Sequence, residues 1–464
     1  MDGCAIRRPS SAAPPKLERL LGYVSHLAST AARPGAGATT IPNPPASPRP
    51  RSLVAALAPA VGSTVRVCGW AEPTEGDLVL RDHTGRVRLV GQRPDVVAES
   101  AIEVVGEVMT AADGQVEILL EELSVAGPAL ATAPISPSSP LEERLDWRFL
   151  DLRRHEARLV FEVQTTAERA MRGLWEQEGF LEIHSPKIRA TANRSGRELF
   201  TIEYFGRRAY LAQSPQFHKQ MAMAAGFDRV FEIGPVFRAN PVATDRHDTE
   251  FTSVDVEISW ISSHEDVMAF EERWLAHVIA AVERHHGPEI ERRFGTRVRV
   301  PSVPFPRVRM AEAYEILKEL DWDGATGSGD IDRAGEQLLA SHIAATHDHD
   351  FVFVTEYGAA ARPFYHMRRA EDPSATMGFD LLWKGLEVTT GAQREHRYEV
   401  LAEQARERGI SLPAIQFYLD YFKFGCPPHG GFGLGLTRML MSILDLPDVR
   451  EVTYLHRGPG RLAP

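Results

Sequence analysis

The stretch Phe231–Glu257, FEIGPVFRANPVATDRHDTEFTSVDVE, decides how this chain is read. Two runs of alternating apolar residues, Phe231 to Phe237 and Phe251 to Glu257, flank a charged connection. That pattern predicts an antiparallel hairpin with a long loop. The connection holds Arg238, Asp245, Arg246 and His247, and Pro241 stiffens it. Guanidinium groups held on a strand pair form a ready fork for phosphate or carboxylate oxygens. Such a hairpin alone is more often a solvated surface feature, so its meaning depends on the rest of the chain.

Length and composition set the outer limits. A chain of 464 residues can hold two or three domains, and 43% hydrophobic with 25% charged residues is ordinary for a globular protein. The net charge of −11 argues against a broadly basic coat for nucleic acid, although not against a local basic groove. No apolar run approaches the length of a membrane span, so no membrane role is expected. The three cysteines, Cys4, Cys68 and Cys426, are odd in number and far apart. They support neither a disulfide framework nor a zinc cluster, and a cytoplasmic setting is the default expectation.

Residues 1–50 are rich in Pro, Ala, Ser and Arg, with only Asp2 and Glu18 acidic, and read as a disordered tail in preference to a transit peptide. Residues 51–127 read as a domain of short strands, TVRVCGW, DLVLRDHTGRVRLVGQ, IEVVGEVM and QVEILLEELSVAG, with turns at His83-Thr84-Gly85 and Asp113-Gly114. Their number and spacing fit a five-stranded barrel of the OB type. The Pro/Ser/Ala-rich residues 128–140 form a linker, and 141–464 a larger α+β domain. In it, Val160–Gln177, His264–His286 and Arg309–Leu320 carry helical periodicity, and Phe351–Val354 reads as a short buried strand. The histidine pairs His285-His286 and His347/His349 lack a complementary ligand set.

Four separated stretches then agree in order. The run Phe237–Phe251 reads FRAxxxxTxRHxxEF; Gly179–Ile188 is GFLEIHSPKI; Ala212–Gln220 is AQSPQFHKQ; Gly431–Met441 is GFGLGLTRMLM. They resemble motif 2, motif 1, the substrate loop and motif 3 of class II aminoacyl-tRNA synthetases, in the form found in aspartyl-tRNA synthetases. The resemblance covers the chain from about Leu141 onward. It implies an antiparallel catalytic sheet flanked by helices, a preceding OB barrel that reads a tRNA anticodon, and a homodimer formed through motif 1. It also implies activation of L-aspartate by ATP with Mg²⁺, and transfer of the aspartyl group to tRNA.

The same resemblance assigns roles. Arg238 would hold the α-phosphate, Arg246 and His247 the outer phosphates, and Arg438, after Gly435 in motif 3, the γ-phosphate. Asp380, Glu387 and Thr390 would offer hard oxygens to Mg²⁺. Lys219 and Arg394 would grip the substrate's side-chain carboxylate, with Gln216 and Asp255 around its α-carbon. No general base is required, because the attacking carboxylate is already ionised. Four departures stand out. Arg194-Ser195-Gly196 occupies the place of a substrate-contacting Glu-Gly-Gly, Asn240 replaces a glutamate beside the adenine, and Thr437 replaces an acidic neighbour of Arg438. The Ala71–Asp77 connection is shorter than the family's anticodon-reading one. Two alternatives stay open: an adenylate handed to a non-tRNA acceptor, and a non-catalytic dimer that binds nucleic acid.

Overall fold

The computed structural model describes residues 49–464 except 75, 93, 192–198 and 326. The tail through residue 48 and Arg194 therefore lie outside the described residues. The chain divides into two compact units at Thr132/Ala133, within the Pro/Ser-rich stretch.

The first unit is built from β1 (Arg51–Ser52), β2 (Thr64–Pro73), β3 (Leu78–Arg81), β4 (Arg86–Val90), β5 (Ala101–Thr110) and β6 (Val116–Gly127). The five longer strands are ordered β2-β3-β4-β6-β5, and β2 pairs back onto β5, so the sheet closes into a barrel with no open edge between these strands. Alternation on each strand turns Val67, Leu80, Val104 and Ile118 into a dry interior. Closure needs a tight bend in β5, and Gly106 sits at a register shift there. A Cβ at Gly106 would stand 2.3 Å from the Leu119 carbonyl oxygen, so only glycine lets the strands approach. The β2–β3 connection is a short hairpin closed by Thr74 and Asp77, whose backbones bond at 2.8 Å.

The second unit is organised on an eight-stranded sheet. Its strands are β7 (Leu181–Glu182), β11 (Arg229–Phe237), β12 (Glu250–Ser259), β13 (Arg307–Arg309), β14 (Phe351–Thr355), β15 (Gly378–Trp383), β16 (Leu386–Gln393) and β17 (His429–Gly435). Their order is β13-β14-β15-β16-β17-β12-β11-β7. The inner pairings are antiparallel, and only the outermost strands β13 and β7 add in parallel. A second, three-stranded sheet joins β8 (Ile188–Arg189), β9 (Thr201–Tyr204) and β10 (Arg207–Leu211) in the order β8-β10-β9.

Helices α1 (His155–Gln177) and α3 (His264–Phe294) share one core with the sheet. Helix α2 spans Gln216–Ala224, α4 Met310–Glu319, α5 Arg333–His347 and α6 Leu436–Leu444. On α1 the buried positions Leu159, Val160, Val163, Ala167, Met171 and Trp175 recur every three or four residues, which sets the face it turns inward. Trp175 stacks on Trp274 at 5.3 Å and on Phe231 at 4.3 Å, joining both helices to the hairpin strand.

Helix α3 corrects a sequence boundary. The helical periodicity is read as ending at His286, yet the helix runs through Pro288 to Phe294. Proline removes one backbone donor, but Ile290 beyond it is fully buried in the core and Arg293 pairs with Glu156 at 3.1 Å. Gly295 (φ 71°) then ends the helix in the left-handed region. Among the described residues, no helix is long and apolar enough to cross a membrane.

Candidate active site

Strands β11 and β12 pair without a break from Arg229↔Ile258 to Phe237↔Glu250. The loop expected between them is therefore 238–249, and Arg238 N–H donates to the Thr249 carbonyl at its neck (2.9 Å). The Arg238 guanidinium lies over the Phe251 ring, 5.0 Å from its centre, which fixes its plane. The loop is tied down on two sides. Asp245 accepts from Arg333 of α5 at 2.9 Å, and Arg246 lies 3.5 Å from Glu336 of the same helix. His247 bonds Thr244 Oγ1 through Nδ1 (2.7 Å), while its Nε2 accepts from Arg438 Nη2 (3.2 Å). Arg438, in the first turn of α6, also donates to the Glu387 carbonyl at 2.7 Å.

Glu387 and Thr390 are three apart on β16, a spacing that puts side chains on opposite faces of a regular strand. A bulge reverses this. Leu381 pairs with Thr389 and Leu382 with Glu387, leaving Val388 as the extra residue. Thr390 Oγ1 consequently reaches Glu387 Oε1 at 3.1 Å, and Asp380 stands directly across from Thr390 on β15. Three oxygen-bearing side chains so share one face.

The electrostatics divide these carboxylates. Burial, with Glu387 nearby, pushes Asp380 up to about 6, and Arg362 grips both of its oxygens. Burial opposes ionisation of Glu387 as well, but Arg438 and Arg362 hold it below the ordinary carboxylate range. Glu336 is pushed up to about 7, first by burial and then by Glu387, and its Oε2 has no hydrogen bond. Crowded carboxylates whose mutual repulsion opposes ionisation suit a divalent cation, which would offset that repulsion. Among the described residues no three His, Cys, Asp or Glu side chains form a ready-made cage. The set at hand is Glu387 and Thr390 with Asp380 behind them, leaving other positions for water and phosphate oxygens, as Mg²⁺ prefers.

The amino-acid end lies under β12 and β17. Ser253, Asp255 and Glu257 alternate onto one face, and Ser253 Oγ donates to Asp255 at 2.6 Å. Glu257 is fully buried and accepts from Arg394 Nε at 2.9 Å; Lys219 lies 3.4 Å away. Burial disfavours its charge, yet Arg394 and Lys219 keep its pKa low. Arg394 also donates to the Gly431 carbonyl at 2.8 Å. A Cβ on Gly431 would sit 2.0 Å from the Val256 carbonyl oxygen, so this glycine permits the close β17–β12 approach.

One cleft of about 860 Å³ gathers these groups. Arg238, Asn240, Arg246, His247, Gly435, Thr437 and Arg438 line it toward the hairpin loop and motif 3. Asp380, Glu387 and Thr390 form its floor, and Gln216, Asp255 and Arg394 its other end. Lys219 is placed differently. It lies behind the lining, 0% exposed, with its ammonium 2.8 Å from Asp255 and bonded to the Val256 and Phe432 carbonyls. Its charge reaches the cleft through Asp255. His286 and His349 are taken up by Thr166 and by the Phe351 and Ser302 carbonyls.

Several groups in and behind the cleft escaped the sequence reading. Glu257 could have been found, since charges at alternate positions of an otherwise apolar strand require partners. Asp330, Arg333 and Glu336 come from the start of α5, where a polar helix entrance looks like any other. Arg362 lies between strands in an irregular segment and carries no local signal.

A triphosphate-sized cleft over an antiparallel sheet, with arginines from a hairpin loop and from a helix start, defines a class II aminoacyl-tRNA synthetase catalytic unit. The chain belongs to that family: the model for class II tRNA synthetases (D, K and N) matches residues 140–457. It is 39% identical over 434 residues to the aspartate–tRNA(Asp/Asn) ligase of Aeropyrum pernix, covering 89% of this chain and 98% of that protein. It is also 39% identical to the aspartate–tRNA(Asp) ligase of Thermococcus kodakarensis, covering 87% and 97%. Among solved structures, asparaginyl-tRNA synthetase from Pyrococcus horikoshii complexed with asparaginyl-adenylate superposes with a TM-score of 0.80 at 28% identity, over 88% of this chain and 97% of that one.

Proposed function

We propose that this chain activates L-aspartate with ATP and transfers the aspartyl group to the 3′ end of tRNA. The observation that carries the proposal is the convergence of Arg238, Arg438 and Glu387 on the cleft whose far end holds Asp255 and Arg394. In the first step an α-carboxylate oxygen of aspartate bonds to the α-phosphorus of ATP, the bond to the bridging oxygen breaks, and pyrophosphate leaves. Two anions must meet, so positioned positive charge lowers the barrier. Arg238 would hold the α-phosphate and Arg438, Arg246 and His247 the outer ones, while Asn240 faces the base. Glu387 and Thr390, with Asp380, would hold Mg²⁺, which supplies further neutralisation of the phosphates. In the second step a tRNA terminal hydroxyl attacks the acyl carbon and AMP leaves.

Asp255 is suited to the substrate ammonium and Gln216 to the neighbouring α-carbon groups. Arg394 is the cation at the side-chain end, with Lys219 acting through Asp255. The names of relatives that serve both tRNA(Asp) and tRNA(Asn) support a second acceptor as well. The exposed edge strand β7, with Leu181 52% exposed, supports a homodimer in which a second copy covers it. A cytoplasmic site of action completes the proposal. Aspartate-dependent ATP–pyrophosphate exchange, followed by charging of tRNA(Asp) and tRNA(Asn) transcripts, tests it. Absence of exchange with aspartate would end the reading; exchange without charging would transfer the adenylate to a different acceptor.

A further inference from the structure

Arg189 closes the two-residue strand β8, opposite Tyr210 of β10, and β10 leads directly to Gln213 and Ser214 in the cleft wall. Its side chain is buried, 8% exposed, and its guanidinium lies 5.1 Å from the centre of the Phe217 ring. Nη2 has no hydrogen-bond partner, and among the described residues no carboxylate forms an ion pair with it. A guanidinium cannot shed its charge at neutral pH, so such burial is costly unless an anion arrives. The ring face beneath it compensates only in part.

Its place relative to the cleft follows from Tyr365, a lining residue whose ring packs 6.1 Å from Phe217. The charged groups acting on the Tyr365 phenol are Arg394, Glu257, Arg189 and Asp255. At and behind this end of the cleft, then, Lys219 pairs with Asp255 and Arg394 with Glu257, while Arg189, close enough to act on Tyr365, has no paired carboxylate among the described residues. Among these described side chains one positive charge is left over. The α-ammonium and α-carboxylate of a bound amino acid cancel each other, so only a charged side chain neutralises the excess.

We propose that Arg189 is a specificity-determining residue, whose unpaired charge makes the cleft select a side-chain carboxylate over the corresponding amide. This rests on the aspartate-activating reading above and adds a residue to it. Arg189 acts across Tyr365, not by direct contact, so its removal should weaken aspartate without touching ATP.

The test compares wild type with R189M and R189K in pyrophosphate exchange, with L-aspartate and L-asparagine as substrates. For R189M we expect a fall of about 10- to 100-fold in kcat/KM for aspartate, an unchanged KM for ATP, no matching fall for asparagine, and an unfolding temperature no lower than wild type. R189K should recover part of the loss. Equal aspartate kcat/KM in wild type and R189M overturns the inference, as does an equal fall for both amino acids together with a lowered unfolding temperature. If wild type shows no exchange, the functional reading fails, and aspartate-induced thermal shift then decides Arg189 separately: an R189M shift equal to wild type, or no wild-type shift at all, overturns it.

Discussion

At the scale of single residues, the decisive feature is how buried charges are matched. Glu257 holds Arg394 and Lys219 where all three side chains are buried. Breaking a buried pair by neutralising one partner costs about 3–5 kcal/mol, because the stranded charge remains. The variant E257Q should therefore lose roughly that much stability in chemical denaturation, in addition to losing exchange activity. Glu271 presents the opposite case. It is fully buried, accepts from Thr389 at 2.6 Å, and leaves Oε2 without a partner; burial pushes it up to about 8. Its folded pKa exceeds its unfolded one, so the folded state binds the proton more tightly between about pH 4.5 and 8. Stability must fall as pH rises through that window, with up to about 5 kcal/mol at stake. The amide in E271Q keeps the Thr389 bond and carries no charge at any pH. Thermal unfolding from pH 5 to pH 9 should show E271Q losing less stability than wild type; parallel curves would remove Glu271 as the cause.

At the scale of elements, one strand irregularity and one tether shape the site. The hairpin β11–β12 was legible because alternation of apolar residues is a local property, and the loop charges lie within it. The barrel strands were legible for the same reason, and the buried strand β14 as a short continuous apolar run. The bulge at Val388 was not, since nothing in LEVTTG distinguishes a strand with an extra residue from one without. Yet that bulge is what brings Glu387 and Thr390 to one face. The end of α3 was read too early: the helix continues past Pro288, a local breaker, because Ile290 beyond it is buried in the core. The placement of Lys219 behind the cleft was equally hidden, because depth in a sheet packing is not written in a nine-residue motif. The tether between loop 238–249 and α5 rests on the Asp245–Arg333 pair, half of which is exposed. An exposed pair adds only about 0.2–1 kcal/mol to stability. The R333A substitution should thus leave the unfolding midpoint nearly unchanged, while freeing the loop and raising KM for ATP several-fold in pyrophosphate exchange.

At the scale of the whole molecule, the groups proposed for the chemistry all fall within one of the two units. Every group proposed to handle ATP or aspartate lies between Arg189 and Arg438, in the second unit, whose core of α1, α3 and the large sheet is its own. The barrel closes over a separate core of Val67, Leu80, Val104 and Ile118. Two complete cores predict that the second unit can fold without the first. A fragment starting at Ala133 should then keep aspartate-dependent exchange within about tenfold of the full chain, since no reacting group is removed. Charging of tRNA(Asp) should behave differently. When one of two linked binding surfaces is deleted, the loss is on the order of 10²-fold or more in apparent affinity, and a barrel that engages unstacked bases is such a second surface. Measuring both half-reactions on the fragment, with circular dichroism to confirm its fold, separates the possibilities. Exchange retained with charging reduced places tRNA reading in the barrel. Undiminished charging would mean that the short β2–β3 hairpin reflects a barrel no longer used for tRNA. Loss of both activities from a folded fragment would mean that the adenylate site depends on the barrel despite its separate core.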